Sequence, residues 1–556
     1  MAAKRRLPLA LSAYFALWTA YFAAIWSRAV VVEKSGEIFA GHPYLWGDWA
    51  VHFTMGSSMA YRHLFLSESP LLFGAPFKYP FLANLISAAL LRLGLPFFNA
   101  FTIPSFVFSV ALVFALYFLY KTLFASSKVA VVASLIFLFN GGLGFVEFIK
   151  DVVASPHSLD TLLNPPRMYT RMDDLNIVWI SVINSMVIPQ RAFQIGFPLA
   201  LAALGLGYAR RTLLAGLGAG LLFGLLPIAH SHSFLAVSLI FLFWGTADLL
   251  FSETPRARAA HFKHWARVLV AGALVAAPFI LIFLRGPSVF SIRWMPGWYA
   301  NEKHIGWLFF WWINWGVTPA AAIAGLAAFI WRQPSVRARY KQALTFLPFF
   351  LLFALVNLCL LQQWIWDNTK LLVWASLGLS GLAGYFLWFL FQQRSAITKA
   401  AAVLFFVLMT ASGAADAYRA LIPKLNRNRM YTAEDVLLAQ WAIKQTDKDS
   451  IWLTGHNHNH WAFNLAGRRA LMTYEGWLWT HGYAYKQIKS DVQSMFLDPG
   501  TELLYKKYGV DYIVLGPEEK GTLKANPDYF DRVFTLVRKT ENYQVYTARR
   551  RGRLSG

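Results

Sequence analysis

The run Tyr44-Leu45-Trp46-Gly47-Asp48-Trp49 sets one carboxylate between two tryptophans, a short way past an apolar block that ends near Trp26. A carboxylate is costly beside lipid, so an acid kept there is a candidate for chemistry at the bilayer surface. The plain alternative is an Asp that starts a helix over Ala50 to Phe65 and accepts its first amide protons. Other polar side chains gather in the same kind of position. The segment 27–100 adds His52, Arg62, His63, Lys78 and Tyr79, and the segment 147–190 adds Arg171, Asp173 and Asp174 ahead of Ile188-Pro189-Gln190-Arg191. Later segments bring His230-Ser231-His232, then Arg285, Arg293, Asn301, Glu302, Lys303 and His304, then Trp364-Ile365-Trp366-Asp367-Asn368-Thr369-Lys370.

What must position these groups is a membrane protein. Hydrophobic residues make up 57% of the 556 and charged residues 14%, and the apolar residues fall in blocks long enough to cross a bilayer. The lone Cys359 excludes an internal disulfide. The net charge of +23 has a reading that needs no nucleic acid, because basic residues crowd the short loops where they hold the cytoplasmic face and meet anionic lipid.

Met1-Ala2-Ala3-Lys4-Arg5-Arg6 ahead of the first block predicts a cytoplasmic amino terminus and an uncleaved anchor. Phe81–Phe98 is long enough to span, yet it carries Arg92, and leaving it out gives the better alternation of charge between loops. About eleven spans result, at 7–26, 101–120, 129–146, 191–209, 212–229, 233–251, 268–284, 306–331, 343–361, 371–391 and 400–417. The loops that hold the acids then lie outside, and so does the carboxyl terminus. After Tyr418 the apolar blocks stop, and residues 418–556 read as a soluble α/β domain with strands near Ser450–Thr454, Ala470–Thr473, Tyr512–Leu515 and Tyr543–Thr547. Its string His456-Asn457-His458-Asn459-His460 sets three imidazoles two residues apart, which on a strand would share one face and could hold a metal; a polar loop is the favoured reading.

In the order and sidedness of these features the membrane region, residues 1–417, resembles the GT-C superfamily of membrane glycosyltransferases, which take sugars from polyprenyl-phosphate carriers. The family's first-loop acid falls on Asp48, and its second-loop acid on Asp173 or Asp174, although that pair is not a clean Asp-x-Asp. Phe77-Lys78-Tyr79-Pro80-Phe81-Leu82 looks like the Lys-Pro-Pro-Leu segment of protein mannosyltransferases and lipid A aminoarabinose transferases, with Tyr79 in place of the first proline. Gly467-Arg468 and Gly509-Val-Asp-Tyr-Ile-Val-Leu-Gly516 look like the carboxyl-terminal domain of many bacterial members.

The resemblance implies an enzyme that moves a sugar from a polyprenyl-phosphate donor to a glycan, lipid or protein acceptor on the outer face. Such a reaction needs a base for the acceptor hydroxyl, and Asp48 is the expected one. The departing phosphate gains charge, so Lys78, Arg191, Lys370 and His230 are the expected partners; for Arg191 and Lys370, each opening a span, ordinary snorkelling is the rival. Asp367, Asn368 and Trp366, with His52 and Tyr79 of the first loop, are the expected acceptor or sugar contacts, although an interfacial aromatic belt also explains the tryptophans. Asp173 and Asp174 are candidates for a divalent cation, Mg or Mn, as in oligosaccharyltransferase relatives, while many transferases of the superfamily work without metal. A transporter or flippase would carry its charges at the midplane and repeat broken helices in two halves, which this sequence does not. A scaffold that merely displays the soluble domain would not need an acid-rich first loop.

Overall fold

The computed structural model describes residues 9–62, 68–209, 211–284, 290–362, 364–498 and 500–550; the basic stretch Met1–Arg6 and His63, Arg210 and Arg285 lie outside the described residues. Contacts divide the chain into two units, one of residues 1–28, 105–281 and 290–426, the other of 29–104, 282–289 and 427–556. The composition divides it elsewhere, at 417, because composition registers hydropathy and not which segments share a core.

The first unit is helical. Among the described residues eight helices are long and apolar enough to cross a membrane, and nine if a bent pair counts as one span. The helix ending at Phe391 is its centre: 89% of its apolar window is buried, against 22–61% for the other seven. Helices 127–139, 318–331, 336–358 and 396–420 surround it. Small residues make that close approach possible, as in membrane bundles generally. A Cβ on Gly325, for example, would lie 2.0 Å from the carbonyl oxygen of Leu382.

Two expected spans are shorter than eleven crossings require, and local chemistry explains each. Ser127–Phe139 stops after 13 residues at Asn140-Gly141-Gly142, where Gly142 has φ +64° and the Asn140 amide donates to Thr318 Oγ1 at 3.2 Å. Leu213–Gly224 is followed by a break at Leu225 before Leu226–Ala229, where Pro227 lacks the amide proton that a continuous helix needs. The expected span 306–331 is bent by 84° between Trp307–Trp315 and Thr318–Trp331, at Gly316 with φ +56°. Phe81–Phe98 folds as the 11-residue helix Leu82–Arg92, about 16 Å long and well short of the ~30 Å hydrocarbon layer. Its Arg92 guanidinium donates to the carbonyls of Met59 (2.8 Å) and Ala60 (3.1 Å), satisfying the end of the preceding helix.

The second unit joins the first loop to the carboxyl-terminal segment. Its main sheet runs Phe534–Lys539, Gln544–Arg550, Tyr512–Leu515, Ile451–Leu453, Arg469–Ala470 in spatial order. The last three strands are parallel, with Ile513 opposite Leu453 and Trp452 opposite Ala470; Gln544–Arg550 is antiparallel to both its neighbours. A smaller antiparallel sheet pairs Val30–Val32 with Ile38–Ala40 and that strand with Asn428–Tyr431. The core mixes both segments: Met55, Leu71 and Leu72 are buried with Leu453, Phe463, Met472, Phe496, Ile513 and Phe530. Gly467 has φ +62°, and a Cβ there would lie 2.6 Å from the Ser57 backbone carbon, so the first-loop helix rests directly on this glycine. Thr54 Oγ1 donates to Asn464 Oδ1 (2.7 Å) and Ser57 Oγ to the Phe463 carbonyl (3.2 Å) across the same contact.

Candidate functional site

The helix that carries Asp48 begins earlier than its sequence suggests. It runs Pro43–Tyr61, with Pro43 in the first turn and His42 as its cap, whose Nδ1 accepts from the Tyr44 amide at 3.3 Å. Asp48 therefore lies in the second turn, where amides have intrahelical partners, and the helix-capping alternative is overturned. It is half-buried beside fully buried Trp49. His52, one turn on, shares its face. His52 is buried, and its Nδ1 meets Asn84 Oδ1 at 3.0 Å, so with Asn84 as acceptor the ring proton sits on Nδ1. Asn84 is fixed in turn by its amide against Met55 Sδ (3.1 Å).

Tyr79 lies edge-on to His52 (centroids 6.0 Å) and to His481 (4.9 Å), and His481 Nδ1 is 2.6 Å from the Trp477 carbonyl. Partial burial holds the Lys78 ammonium below the usual lysine range. The first-loop residues Asp48, His52 and Tyr79 thus belong to one packed unit with Asn84 and His481, neither of which stands out in the sequence. His481 lies about 400 positions from its partners, and only the fold brings them together.

In the helical unit the second loop makes a different cluster. Asp173 pairs with Arg171 Nε at 3.2 Å and Lys303 Nζ at 3.1 Å. Burial raises its pKa, but the Lys303 hydrogen bond and the charges of Lys303 and Arg171 outweigh that and hold the carboxyl below its ordinary range. Both cations lie over the Trp366 ring, Arg171 at 5.7 Å and Lys303 at 5.6 Å, with Tyr299 edge-on at 5.2 Å. Asp174 is exposed. Among the described residues no three His, Cys, Asp or Glu side chains group to hold a metal ion. An acid engaged by two cations and an exposed neighbour do not fit the divalent-cation site expected at Asp173 and Asp174.

The loop is held from beneath by Asp416, which is fully buried near the end of the helix Ala396–Ala420. Its carboxylate accepts from the Tyr169 amide (2.6 Å), the Thr170 amide (2.8 Å) and Thr170 Oγ1 (2.6 Å), immediately before Arg171. Asn314 holds the far side, accepting from the Val178 amide at 2.7 Å and donating to the Asn176 carbonyl at 3.0 Å. An acid within an apolar block is a signal that the sequence offered for Asp416.

Three of the four residues expected at a donor phosphate, Arg191, His230 and Lys370, lie on three elements of this unit, while Lys78 belongs to the other. Arg191 is buried at the start of the helix Arg191–Ala209, whose Phe193 and Gly196 pack on His230; a Cβ on Gly196 would come within 2.3 Å of the His230 Cβ. His230 Nδ1 meets Ser233 Oγ at 2.7 Å, its ring lies 5.2 Å from His232, and His232 contacts the Gln362 side chain. The charges of Lys370 and Asp367 reach His230, the charge of Lys370 and a backbone hydrogen bond of Asp367 reach His232, and the Lys370 and Asp367 side chains pair with each other at 2.7 Å. Asn368 departs from the expected role as a sugar contact. It is fully buried, its Oδ1 accepts from the Leu361 amide at 2.6 Å and its amide donates to the Ile365 carbonyl at 3.0 Å, so it closes a turn.

The histidine string of the carboxyl-terminal segment forms a loop, and its rings diverge. His456 Nδ1 meets Glu518 Oε1 at 3.3 Å, and the His458 ring abuts Trp46 at 4.2 Å. His460 caps the helix Trp461–Asn464 through Nδ1, accepting from the Ala462 amide at 3.2 Å, and donates from Nε2 to Glu519 Oε1 at 3.2 Å. Three rings with three separate partners do not fit a shared metal.

Comparison of the fold with solved structures finds the oligosaccharyltransferase of the archaeon Archaeoglobus fulgidus. The form tethered to an acceptor peptide with an NVT sequon matches with TM-score 0.54 and 11% identity, over 94% of this chain and 72% of that one. The oligosaccharyltransferase AglB of the same organism, in complex with an inhibitory peptide and a dolichol-phosphate, matches with TM-score 0.51 and 11% identity, over 95% and 73%. ArnT from Cupriavidus metallidurans in the apo state matches with TM-score 0.49 and 12% identity, over 97% and 98%. No protein-family model and no curated protein matches the sequence. The chain shares the fold of the archaeal oligosaccharyltransferase, helical with a strand-containing carboxyl-terminal part.

Proposed function

We propose that this protein is an integral membrane glycosyltransferase that moves a sugar from a polyprenyl-phosphate-linked donor to an acceptor on the outer face of the membrane, with Asp48 as general base. The observation that carries the reading is the setting of Asp48: a half-buried carboxylate that caps no helix, one turn from His52, in a chain with the fold of an enzyme captured with a dolichol-phosphate. Asp48 takes the proton of an acceptor hydroxyl as its oxygen attacks the donor anomeric carbon. The bond from that carbon to the phosphate oxygen breaks, its electron pair leaves with the polyprenyl phosphate, and the anomeric configuration inverts. The leaving phosphate needs cations and hydrogen-bond donors, and the reading gives that part to Arg191 and Lys370 as cations and to His230 as a hydrogen-bond donor, with Lys78 from the first loop. Lys370 would exchange its partner Asp367 for phosphate. The reading sets the amino terminus in the cytoplasm and residues 427–556 outside, following the basic loops.

The test is transfer from radiolabelled polyprenyl-phosphate sugars by the purified full chain, wild type beside Asp48→Asn. The mutant is expected to lose 10²- to 10⁴-fold in rate, about the contribution of a positioned base. Undiminished turnover in the mutant removes Asp48 from the chemistry; no turnover by the wild type with any donor removes the reading itself.

A further inference from the structure

A second polar site lies in the same unit as Asp48. An open cleft of about 520 Å³ is lined by His456, Asn457, His458, Tyr474, Glu518 and Thr522. It sits at the carboxyl ends of two neighbouring parallel strands, Ile451–Leu453 and Tyr512–Leu515. From the first the chain passes to Arg469–Ala470 on one side of the sheet, and from the second to Phe534–Lys539 and Gln544–Arg550 on the other. Loops that part in opposite directions leave a crevice, and open sheets with parallel strands bind ligands at such a switch point.

The lining chemistry selects the ligand. Among the described residues no Lys or Arg lines the cleft, while Glu518 does. Its carboxylate is fixed by the amides of His456 (3.1 Å) and Asn457 (2.8 Å) and the His456 ring, so it is an acceptor that repels phosphate or another anion. Tyr474 is 40% exposed, giving a flat apolar wall, and the His458 ring lies 5.5 Å from it. His458 Nε2 is buried in the wall without a hydrogen-bond partner. An aromatic wall beside a carboxylate, an amide and an imidazole, with no cation, suits a neutral polyhydroxylated ring: its C–H face lies on the aromatic and its hydroxyls meet the polar groups. The cleft also adjoins the helix of the proposed base, because Trp46, which abuts His458, precedes Asp48 by two residues, about 3 Å of rise.

We propose that this cleft binds a neutral saccharide. The inference deepens the transferase reading by providing a place for a glycan acceptor, and it rests on that reading for the ligand's role alone. The test is binding of mannotriose, maltotriose and chitotriose to the full chain in nanodiscs, with mannose 6-phosphate as the charged control. At least one trisaccharide is expected to bind with a Kd below about 1 mM, and mannose 6-phosphate more weakly than any that binds. Tyr474→Ala, at an exposed position, and Glu518→Gln are each expected to weaken that binding about tenfold. Absence of binding by all three, or binding indifferent to both cleft substitutions, overturns the proposal. Saccharide binding without turnover on any donor keeps the cleft and removes the transferase reading; turnover without saccharide binding does the reverse.

Discussion

Asp416→Asn is the perturbation that most directly tests how the second loop is positioned. The Asp416 carboxylate accepts three hydrogen bonds, from the amides of Tyr169 and Thr170 and the Thr170 hydroxyl, at 2.6 to 2.8 Å and out of contact with solvent. Asparagine keeps one oxygen and turns an N–H₂ toward donors, so at least one buried amide loses its acceptor and faces a like group instead. Leaving a buried donor unsatisfied costs about 1–3 kcal/mol, and bonds to a charged acceptor are worth roughly 1.5–3 kcal/mol. A local destabilisation of about 2–4 kcal/mol follows, since such terms do not add fully. Converted at 1.36 kcal/mol per decade, this raises the opening equilibrium around Tyr169 and Thr170 about 30- to 1000-fold. Hydrogen exchange of the full chain, followed on peptides covering 165–178, reads that change directly. Thr170→Val, which removes only the hydroxyl bond, is expected to give about fivefold, corresponding to roughly 1 kcal/mol. Wild-type exchange at 169 and 170 in Asp416→Asn would refute the claim that this acid holds the loop.

Three further outcomes follow from the geometry. Gly467→Ala is strained at φ +62° and drives a Cβ into the Ser57 backbone, so the carboxyl-terminal part should lose about 1–3 kcal/mol, read as lower protection of its amides in hydrogen exchange. Asn368→Ala should lower thermal stability through two broken turn bonds while leaving the acceptor KM unchanged; a raised KM with unchanged stability would restore its role at a sugar. Burial raises the pKa of the Glu519 carboxyl, but the His460 ring and the Gly455 amide outweigh that and hold it below its ordinary value of 4.5. A depressed acid stabilises the fold above its unfolded pKa and loses that contribution as pH falls through the folded one. The stability gap between wild type and Glu519→Gln should therefore be full at pH 7 and narrow below about pH 4.5; a gap constant down to pH 3 counts against it.

The sequence disclosed most where one property dominates. Long apolar blocks became the long helices, and the parallel strands at 451–453 and 512–515 fell where β-branched and aromatic runs predicted them. Phe534–Lys539 was not legible, because Phe-Thr-Leu-Val-Arg-Lys ends in charge and lies at the sheet's edge, where the outer side of the strand need not be apolar. The two shortened helices show backbone chemistry overruling hydropathy: Asn-Gly-Gly and Leu-Pro stop a helix however apolar the flanks are. At the candidate sites, residue type pointed to Asp48, Asp173, Lys370 and Arg191, but what each side chain touches was out of reach. Asp173 reads as a metal ligand by type, and the second of its two cations becomes visible only once Lys303, 130 residues away, packs against it.

The same limit bears on what residues 427–556 do. An appended recognition module would leave the first loop standing without it, yet Met55, Leu71 and Leu72 of that loop are buried in a core with Phe463, Met472 and Ile513. Each such side chain contributes about 1.5–3 kcal/mol by leaving water, so these three alone supply roughly 5–9 kcal/mol, comparable to the whole stability of a typical domain. The anchoring is polar as well: Thr54 and Ser57, on the helix of Asp48, donate to Asn464 and to the Phe463 carbonyl. The turn of helix that carries Asp48 and His52 therefore owes its fixed position to the carboxyl-terminal segment. A general base acts only within hydrogen-bond reach of the proton it takes, and a misplacement of about 1 Å can cost 10²-fold in rate. On the proposed reading, selection for catalysis at Asp48 is also selection on Gly467, Asn464 and Phe463, and the carboxyl-terminal segment is part of the catalytic machinery through the packing that it shares with the first loop.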